Sequence, residues 1–120
     1  MEKPDVTWKV FGMYLLVLLL ILISGSANGQ ISVAQFNAEW NKANEVSWVM
    51  DLEDCRTIAY VDIATNPKMQ AEHKIAAIPT IIVFKDDVEV ARFQADLSFK
   101  MMATREEVQE EIDNILMSDF

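Results

Sequence analysis

The chain has 120 residues, enough for one domain, and 52% of them are hydrophobic. It carries 10 lysines and arginines against 19 aspartates and glutamates, a net charge of −9. This acidic balance argues against nucleic acid or an anionic membrane surface as a partner. Cys55 is the only cysteine, so no internal disulfide can form and a packed core must stabilise the fold.

Residues 1–29 form an N-terminal segment that differs from the rest of the chain. Residues 10–23 carry no charge, and Lys3 and Lys9 precede them. A short basic region followed by an apolar stretch is typical of a signal peptide. Residues 27–29 fit the small-x-small cleavage site of such a peptide.

The same segment also fits a retained membrane anchor. Residues 10–24 are then the membrane span, which is near the lower length limit for a transmembrane helix. A buried core helix is a third interpretation. Because the positive charges precede the apolar stretch, both membrane interpretations place residues 30–120 outside the cytosol. We therefore expect an extracytoplasmic domain, whether periplasmic, lumenal or secreted.

The domain begins with a predicted strand, helix and strand. Residues 30–38 are predicted to form the first strand and residues 57–63 the second. Between them, residues 41–54 are predicted to form one helix, with Asn41 or Asn44 as its N-cap. The residues of that segment that recur at helical spacing and share one face are Val46, Val49, Met50 and Glu53, and the neighbours Trp48 and Leu52 widen the stripe.

Two prolines mark the next elements. Asn66 as cap and Pro67 as first helical residue predict a short helix over residues 67–74. Pro79 is expected to begin a strand, because a proline inside a central strand removes a ladder hydrogen bond. The apolar run after Pro79, a Lys-Asp-Asp turn and an alternating run then predict a β-hairpin over residues 80–93.

The chain ends with a predicted loop and helix. Residues 96–103 are expected to form the loop, with Leu97 and Phe99 as its anchors. Thr104 and Glu107 fit a capping box at the start of the last helix. The predicted order is βαβαββα, an α/β fold with a mixed four-stranded sheet flanked by helices and preceded by the N-terminal hydrophobic helix.

Two short motifs connect this order to a known family. The run Phe36-x-Ala38-x-Trp40 precedes the predicted first helix, and the tripeptide Ile78-Pro79-Thr80 precedes the third strand. In this order and spacing, the chain resembles thioredoxin over residues 31–116. The resemblance implies a thioredoxin-like fold, without the extra N-terminal strand and helix of full thioredoxins, and a cis peptide bond before the proline.

The resemblance also locates a degenerate redox motif. The Cys-x-x-Cys positions of thioredoxin correspond to Asn41, Lys42, Ala43 and Asn44, and Gln35 stands where the family has a buried aspartate. Thiol–disulfide exchange needs an attacking and a resolving thiol, and asparagine has neither. The implied domain is redox-inactive and uses no cofactor.

The resemblance further implies a binding surface at Trp40, Ile78, Pro79 and Thr80. In the family, the backbone before the cis-proline pairs with an extended peptide, which is recognition by strand addition. A protein or peptide segment is therefore the expected partner. The alternative is that these residues are retained for folding alone.

Other functions remain open at this stage. One alternative is a thiol–disulfide oxidoreductase relative that uses Cys55, although a flanking Asp54 disfavours a thiolate and points to an inert, partly buried thiol. Another is a structural component of a membrane or particle assembly. No metal site is expected: His73 has a surface or packing role, and Met101 and Met102 are loop anchors.

Overall fold

A mixed four-stranded sheet runs through residues 30–118, which are the residues that the computed structural model describes. The strands are β1 (Ile31–Asn37), β2 (Thr57–Asp62), β3 (Thr80–Lys85) and β4 (Val88–Gln94). Their spatial order is β2-β1-β3-β4. The first pair, β1 with β2, is parallel, while the pairs β1–β3 and β3–β4 are antiparallel. The predicted mixed four-stranded sheet is confirmed.

The two central strands are the most buried part of the molecule. Every residue of β1 is buried, and so are the first four residues of β3. This explains their nearly continuous apolar composition, because a strand covered on both faces has no solvent-facing side. The β3–β4 hairpin forms as predicted, with Asp86 and Asp87 in its turn, both at positive φ.

Two α-helices cover the sheet. Helix α1 (Pro67–Glu72) has Asn66 at its N-cap position and proline in its first turn, as predicted. It ends before residue 74, because Lys74 adopts φ 54° in the left-handed region. Helix α2 (Arg105–Met117) begins at the predicted capping box, in which the Thr104 hydroxyl accepts from the Glu107 amide at 3.1 Å.

The prediction of one helix over residues 41–54 is wrong. The segment instead forms two short 3-10 helices, Glu39–Asn44 and Ser47–Asp51. The chain is extended between them, at Glu45 and Val46. An α-helix through Val46 needs its backbone groups for the helical ladder, but the Gln35 side chain bonds to both of them.

The core is divided between the two faces of the sheet. Helix α2 and the 3-10 segment cover one face, where the α2-side cluster forms. Its buried members are Ile31, Val33, Val46, Val49, Leu52, Ile81, Val83, Val108 and Ile112. Helix α1 covers the other face, where the α1-side cluster forms. Its buried members are Ala34, Phe36, Ala38, Val61, Met69, Ile75, Ile78 and Ile82.

The loop before α2 differs from its prediction. Leu97 is 99% exposed and does not anchor the loop. The reason is a tight turn, in which the Asp96 carboxylate accepts hydrogen bonds from Ser98 and from the Lys100 amide, so that Leu97 lies at the tip. Met101 anchors the loop as expected, because it forms a bridge with Ala95 and packs against the α2-side cluster, whereas the exposed Met102 does not.

The expectations for the N-terminal segment lie outside the described residues. These are the hydrophobic helix, the cleavage site and the anchor over residues 10–24. Within residues 30–118, no helix is both long and apolar enough to cross a bilayer.

Candidate functional site

Three asparagines are hydrogen-bonded in a chain at the end of β1. The Asn41 amide donates to the Asn37 side-chain oxygen at 3.1 Å, and the Asn44 amide donates to the Asn41 side-chain oxygen at 2.9 Å. Asn37 also donates to the backbone carbonyl of Asn41 at 3.3 Å. Asn37 and Asn41 are buried, so these bonds satisfy polar groups that would otherwise be costly to bury.

The expectation that Asn41 or Asn44 caps a helix is wrong. Ala38 occupies the N-cap position of the first 3-10 helix, and no side chain caps it. Asn41 lies inside that helix at a non-helical conformation, with φ −108° and ψ 23°. The amide of Asn41 points back to Asn37 because that partner is fixed at the end of the buried strand. Lys42 and Ala43, between the two asparagines, are exposed.

Pro79 lies beside this asparagine chain. The Ile78–Pro79 peptide bond is cis, as the resemblance implied. Thr80 begins β3 and pairs with Phe36 near the end of β1. Pro79 therefore lies at the same end of the two central strands as Asn37. The Thr80 hydroxyl donates to the Ala77 carbonyl at 2.5 Å. Within the described part of the chain, the backbone amide and carbonyl of Ile78 make no hydrogen bond.

Trp40 is exposed near the same end of the central strands. The residue is 65% exposed, and its ring meets Phe99 edge-to-face, with 5.3 Å between the ring centroids. The loop that carries Phe99 is tied to the proline, because the Ala95 amide donates to the Pro79 carbonyl at 3.0 Å. The structure thus brings together Trp40, Asn41, Asn44 and the Ile78-Pro79-Thr80 tripeptide, all of which the sequence singled out.

Solved structures of thioredoxins match this arrangement of strands and helices. One is a mutant thioredoxin from Halobacterium salinarum, with 16% identity and a TM-score of 0.57, covering 72% of this chain and 75% of that one. Another is thioredoxin from Fasciola hepatica, with 23% identity and a TM-score of 0.53, covering 79% and 89%. A third is from Schistosoma mansoni, with 19% identity and a TM-score of 0.58, covering 80% and 89%.

The chain has a thioredoxin-like fold. The likeness to these structures is one of fold, at low sequence identity. The chain has a single cysteine, so it cannot hold the cysteine pair of thioredoxin. No protein-family model matches the sequence, and no curated protein sequence matches it either.

In this thioredoxin-like fold, Gln35 is buried on β1 and contacts Val46, two positions after the degenerate motif. Its side chain donates to the Val46 carbonyl at 3.0 Å and accepts from the Val46 amide at 2.8 Å. The NH2 group and the carbonyl oxygen of the Gln35 side chain are therefore both engaged in one structural contact. A buried carboxylate at this position could not donate in the same way, since an ionised acid only accepts.

Cys55 lies away from the motif, after the second 3-10 helix, and is half-buried with a free thiol. Burial, followed by the charges of Asp54 and Asp113, raises the pKa of the Cys55 thiol to about 11. A thiol that is protonated at neutral pH is a poor nucleophile. The expected partial burial of Cys55 is confirmed, and its inertness stays a prediction that the raised pKa supports.

Three acidic side chains lie near Tyr60 on β2, and the sequence analysis did not predict this. Burial, followed by the charges of Asp62, Glu45 and Glu39 in that order, raises the pKa of Tyr60 to about 12. Tyr60 pairs with Gln35 across β1 and β2, which explains how residues distant in sequence come to share one environment. The sequence alone does not give the parallel pairing of β1 with β2, so this shared environment could not be predicted from it.

His73 has the packing role expected of it. Its ring lies 5.3 Å from that of Phe36 and 5.8 Å from that of Phe84, between centroids. Burial lowers the pKa of His73, although the nearby charge of Glu72 opposes this shift. Among residues 30–118, no group of three or more histidine, cysteine, aspartate or glutamate side chains is placed to hold a metal ion.

Proposed function

We infer that residues 30–120 act as a redox-inactive thioredoxin-like module that binds an extended protein segment. The contact residues are Trp40 and the Ile78-Pro79-Thr80 tripeptide. The observation that carries this proposal is the exposed Trp40 ring, held on Phe99 near the same end of the central strands as Ile78 and Pro79.

The motif supports the absence of dithiol chemistry. Asn41 and Asn44 are bonded to each other at 2.9 Å in the positions where thioredoxin has its two cysteines. Neither amide can attack a disulfide or form one. Residual oxidoreductase activity through Cys55 is the weaker alternative, because its pKa of about 11 leaves almost no thiolate at neutral pH.

The backbone at Ile78 supports recognition by strand addition. Its side chain is buried in the α1-side cluster, which fixes the residue, while its amide and carbonyl have no partner within residues 30–118. An extended peptide that passes this residue can bond to both groups, and main-chain bonds of this kind supply affinity with little sequence dependence. The side-chain preference then comes from Trp40, an amphipathic ring of the type enriched at recognition surfaces.

We further propose that the module works outside the cytosol. It is either secreted after cleavage before Gln30 or anchored through residues 10–24. The basis is the order of charge and apolar residues in the N-terminal segment. The mass of the mature protein tests this: a mass that begins at Gln30 supports cleavage, and the intact mass in a membrane fraction supports the anchor.

A photo-crosslinking residue at Lys42 tests the binding surface in cells. Lys42 is exposed and lies two positions after Trp40. We expect a discrete crosslinked partner from this position, and Trp40→Ala should reduce its yield about tenfold or more, as for a hot-spot aromatic residue.

Met50 supplies the matched control. It is an apolar residue, 71% exposed, in the second 3-10 helix. A crosslinker there should not capture the same partner, and Met50→Ala should leave the yield from position 42 unchanged. The proposed surface is contradicted if positions 42 and 50 capture the same partner equally well. It is also contradicted if Trp40→Ala leaves the crosslinking yield from position 42 unchanged.

A further inference from the structure

The two edge strands of the sheet differ in how they are protected. Strand β4 is bulged, because the pairing skips from Glu89 opposite Phe84 to Ala91 opposite Val83 and leaves Val90 unpaired. Glu89 and Arg92 on that strand also form an ion pair at 2.8 Å. Bulges and charged side chains are the usual means by which proteins prevent an edge strand from pairing with another chain.

Strand β2 has none of these protections. Its six residues pair with β1 in an unbroken parallel register from Thr57 to Asp62. Its interior contains no proline, bulge or charge, and only the terminal Asp62 is charged. Among residues 30–118, no strand lies on its outer side, since the sheet order begins with β2.

The direction of the free backbone groups follows from one hydrogen bond. The Ile63 amide donates to the Asn37 carbonyl at 2.9 Å, in register with the β1–β2 pairing, so residue 63 faces β1. Backbone groups alternate in direction along a strand, and the groups of Ile58, Tyr60 and Asp62 therefore face the free edge.

The outward groups can pair with the same strand of a second copy. In an antiparallel pair centred on Ala59, Ala59 lies opposite Ala59, and the outward-facing Ile58 of each copy lies opposite Tyr60 of the other. The two symmetry-related Ile58–Tyr60 pairs then each exchange two hydrogen bonds, and the outward groups of Asp62 lie opposite residue 56 of the other copy. Such a pair has two-fold symmetry, the commonest symmetry of homodimers.

The side chains favour the same register. It sets Arg56 opposite Asp62 twice, once on each side of the symmetry axis, and sets Ile58 opposite Tyr60. Opposite charges and aromatic–β-branched pairs are both favourable across strands. A shift of two residues in one direction sets Asp54 opposite Asp62, and a shift in the other sets Arg56 opposite Ala64, so neither retains the charge pair.

We propose that two copies of this chain associate through β2, antiparallel about Ala59 with Arg56 of each copy opposite Asp62 of the other, to form one continuous eight-stranded sheet. A single strand pair is a small interface, and the acidic chains repel each other. The dimer is therefore reversible and depends on protein concentration. The surface is separate from the proposed peptide site, because β1 lies between β2 and the strand that follows Pro79.

Charge reversal of the full chain, followed by sedimentation equilibrium, tests this register. Asp62→Arg places two arginines opposite each other and should raise the dimer dissociation constant about tenfold. Arg56→Asp should raise it similarly by placing two aspartates together. The double variant Arg56→Asp/Asp62→Arg restores opposite charges and should return the constant to within about threefold of the wild-type value.

Glu89→Arg is the matched control, since it changes the net charge as Asp62→Arg does but acts at the β4 edge. It should leave the dissociation constant unchanged. Circular dichroism checks that each variant is folded, because Asp62 also accepts a hydrogen bond from the Ala64 amide. The proposal is overturned if the wild-type chain stays monomeric up to about millimolar concentration. It is equally overturned if the double variant does not recover, or if Glu89→Arg weakens the dimer as much as Asp62→Arg.

Discussion

Gln35 on the buried strand β1 bonds to both backbone groups of Val46, at 3.0 Å to its carbonyl and 2.8 Å to its amide. Gln109 on α2 bonds in the same way to Glu53, at 3.0 Å and 2.7 Å. The two glutamines thus fix the chain on either side of the second 3-10 helix. One contact is buried and the other is exposed, which makes them a natural pair for mutation.

The first prediction concerns Gln35→Glu. The substitution removes the donor to the Val46 carbonyl and places a carboxylate in a buried site. At pH 7 we expect the free energy of unfolding to fall by about 3 kcal/mol, since a buried acceptor is left unpaired and a charge is desolvated. Desolvation raises the pKa of such a glutamate, so the loss should shrink as the pH falls towards 4. Urea denaturation at the two pH values measures this.

Gln109→Glu is the control for that measurement. It makes the same chemical change at an exposed contact, where water can replace the lost bond. Its cost should be under about 1 kcal/mol and nearly independent of pH. Similar losses for the two variants are the result that contradicts the structural role assigned to Gln35.

These contacts also explain which parts of the fold the sequence could predict. The strands and α2 follow from local signals: apolar runs, turn residues and a capping box within four residues. The conformation of residues 41–54 does not, because it depends on side chains from elsewhere, including Gln109, which is 56 positions from Glu53. The apolar spacing that favoured a helix is satisfied equally by Val49 and Leu52 in the observed 3-10 segment.

The candidate site shows the same division. Trp40, Pro79 and the two motif asparagines could be found because each stands at a motif position. Their partners could not: Asn37 reaches Asn41 only because the strand ends where it does, and Phe99 reaches Trp40 through a turn held by Asp96. Such contacts depend on strand register and loop geometry, which cannot be predicted from the local amino-acid composition.

A second prediction is that Asn41→Cys/Asn44→Cys restores a dithiol that can oxidise. The two present side chains already approach to 2.9 Å, and residues three apart in a 3-10 helix lie on the same side. In a Cys55→Ser background, we expect an intramolecular disulfide under mild oxidation and measurable insulin reduction from the reduced form. Thiol titration follows the first and turbidity the second.

The control for the dithiol is the pair Asn41→Cys/Lys42→Cys in the same background. Adjacent residues point in different directions, so this pair should stay reduced under the same conditions. If the 41/44 pair also keeps two free thiols, the alignment of the motif with the thioredoxin cysteines is wrong.

A third prediction concerns the reactivity of Cys55 in the wild-type chain. With a pKa of about 11, only roughly one thiol in ten thousand is ionised at pH 7. Alkylation by iodoacetamide should therefore be slow at neutral pH and rise about tenfold per pH unit up to the pKa. Asp54→Asn removes one of the charges that raise this pKa and should speed the reaction at fixed pH. Asn tolerates the positive φ of residue 54, so the backbone is retained.

Asp51→Asn is the comparison for that variant. Asp51 also lies in the 3-10 segment but is not among the groups that shift the Cys55 pKa. Its alkylation rate should match that of the wild type. An alkylation rate near that of free cysteine in the unmodified chain is the result against a suppressed thiol.

The last prediction is the effect of pH on stability through Tyr60. Its pKa is raised from 10.0 to about 12 in the folded chain, first by burial and then by Asp62 and the neighbouring glutamates. A folded group with a raised pKa stabilises in full below the unfolded pKa and loses that contribution as the pH rises through the folded one. The free energy of unfolding should therefore fall between pH about 10 and 12.

Tyr60→Phe is the control for this prediction. It keeps the ring but cannot ionise, so its curve of unfolding free energy against pH should be flatter over this window. Both chains carry Cys55→Ser, because that thiol acts in the same direction between its usual 9.0 and about 11. Parallel curves for tyrosine and phenylalanine contradict the acidic environment assigned to this end of β2.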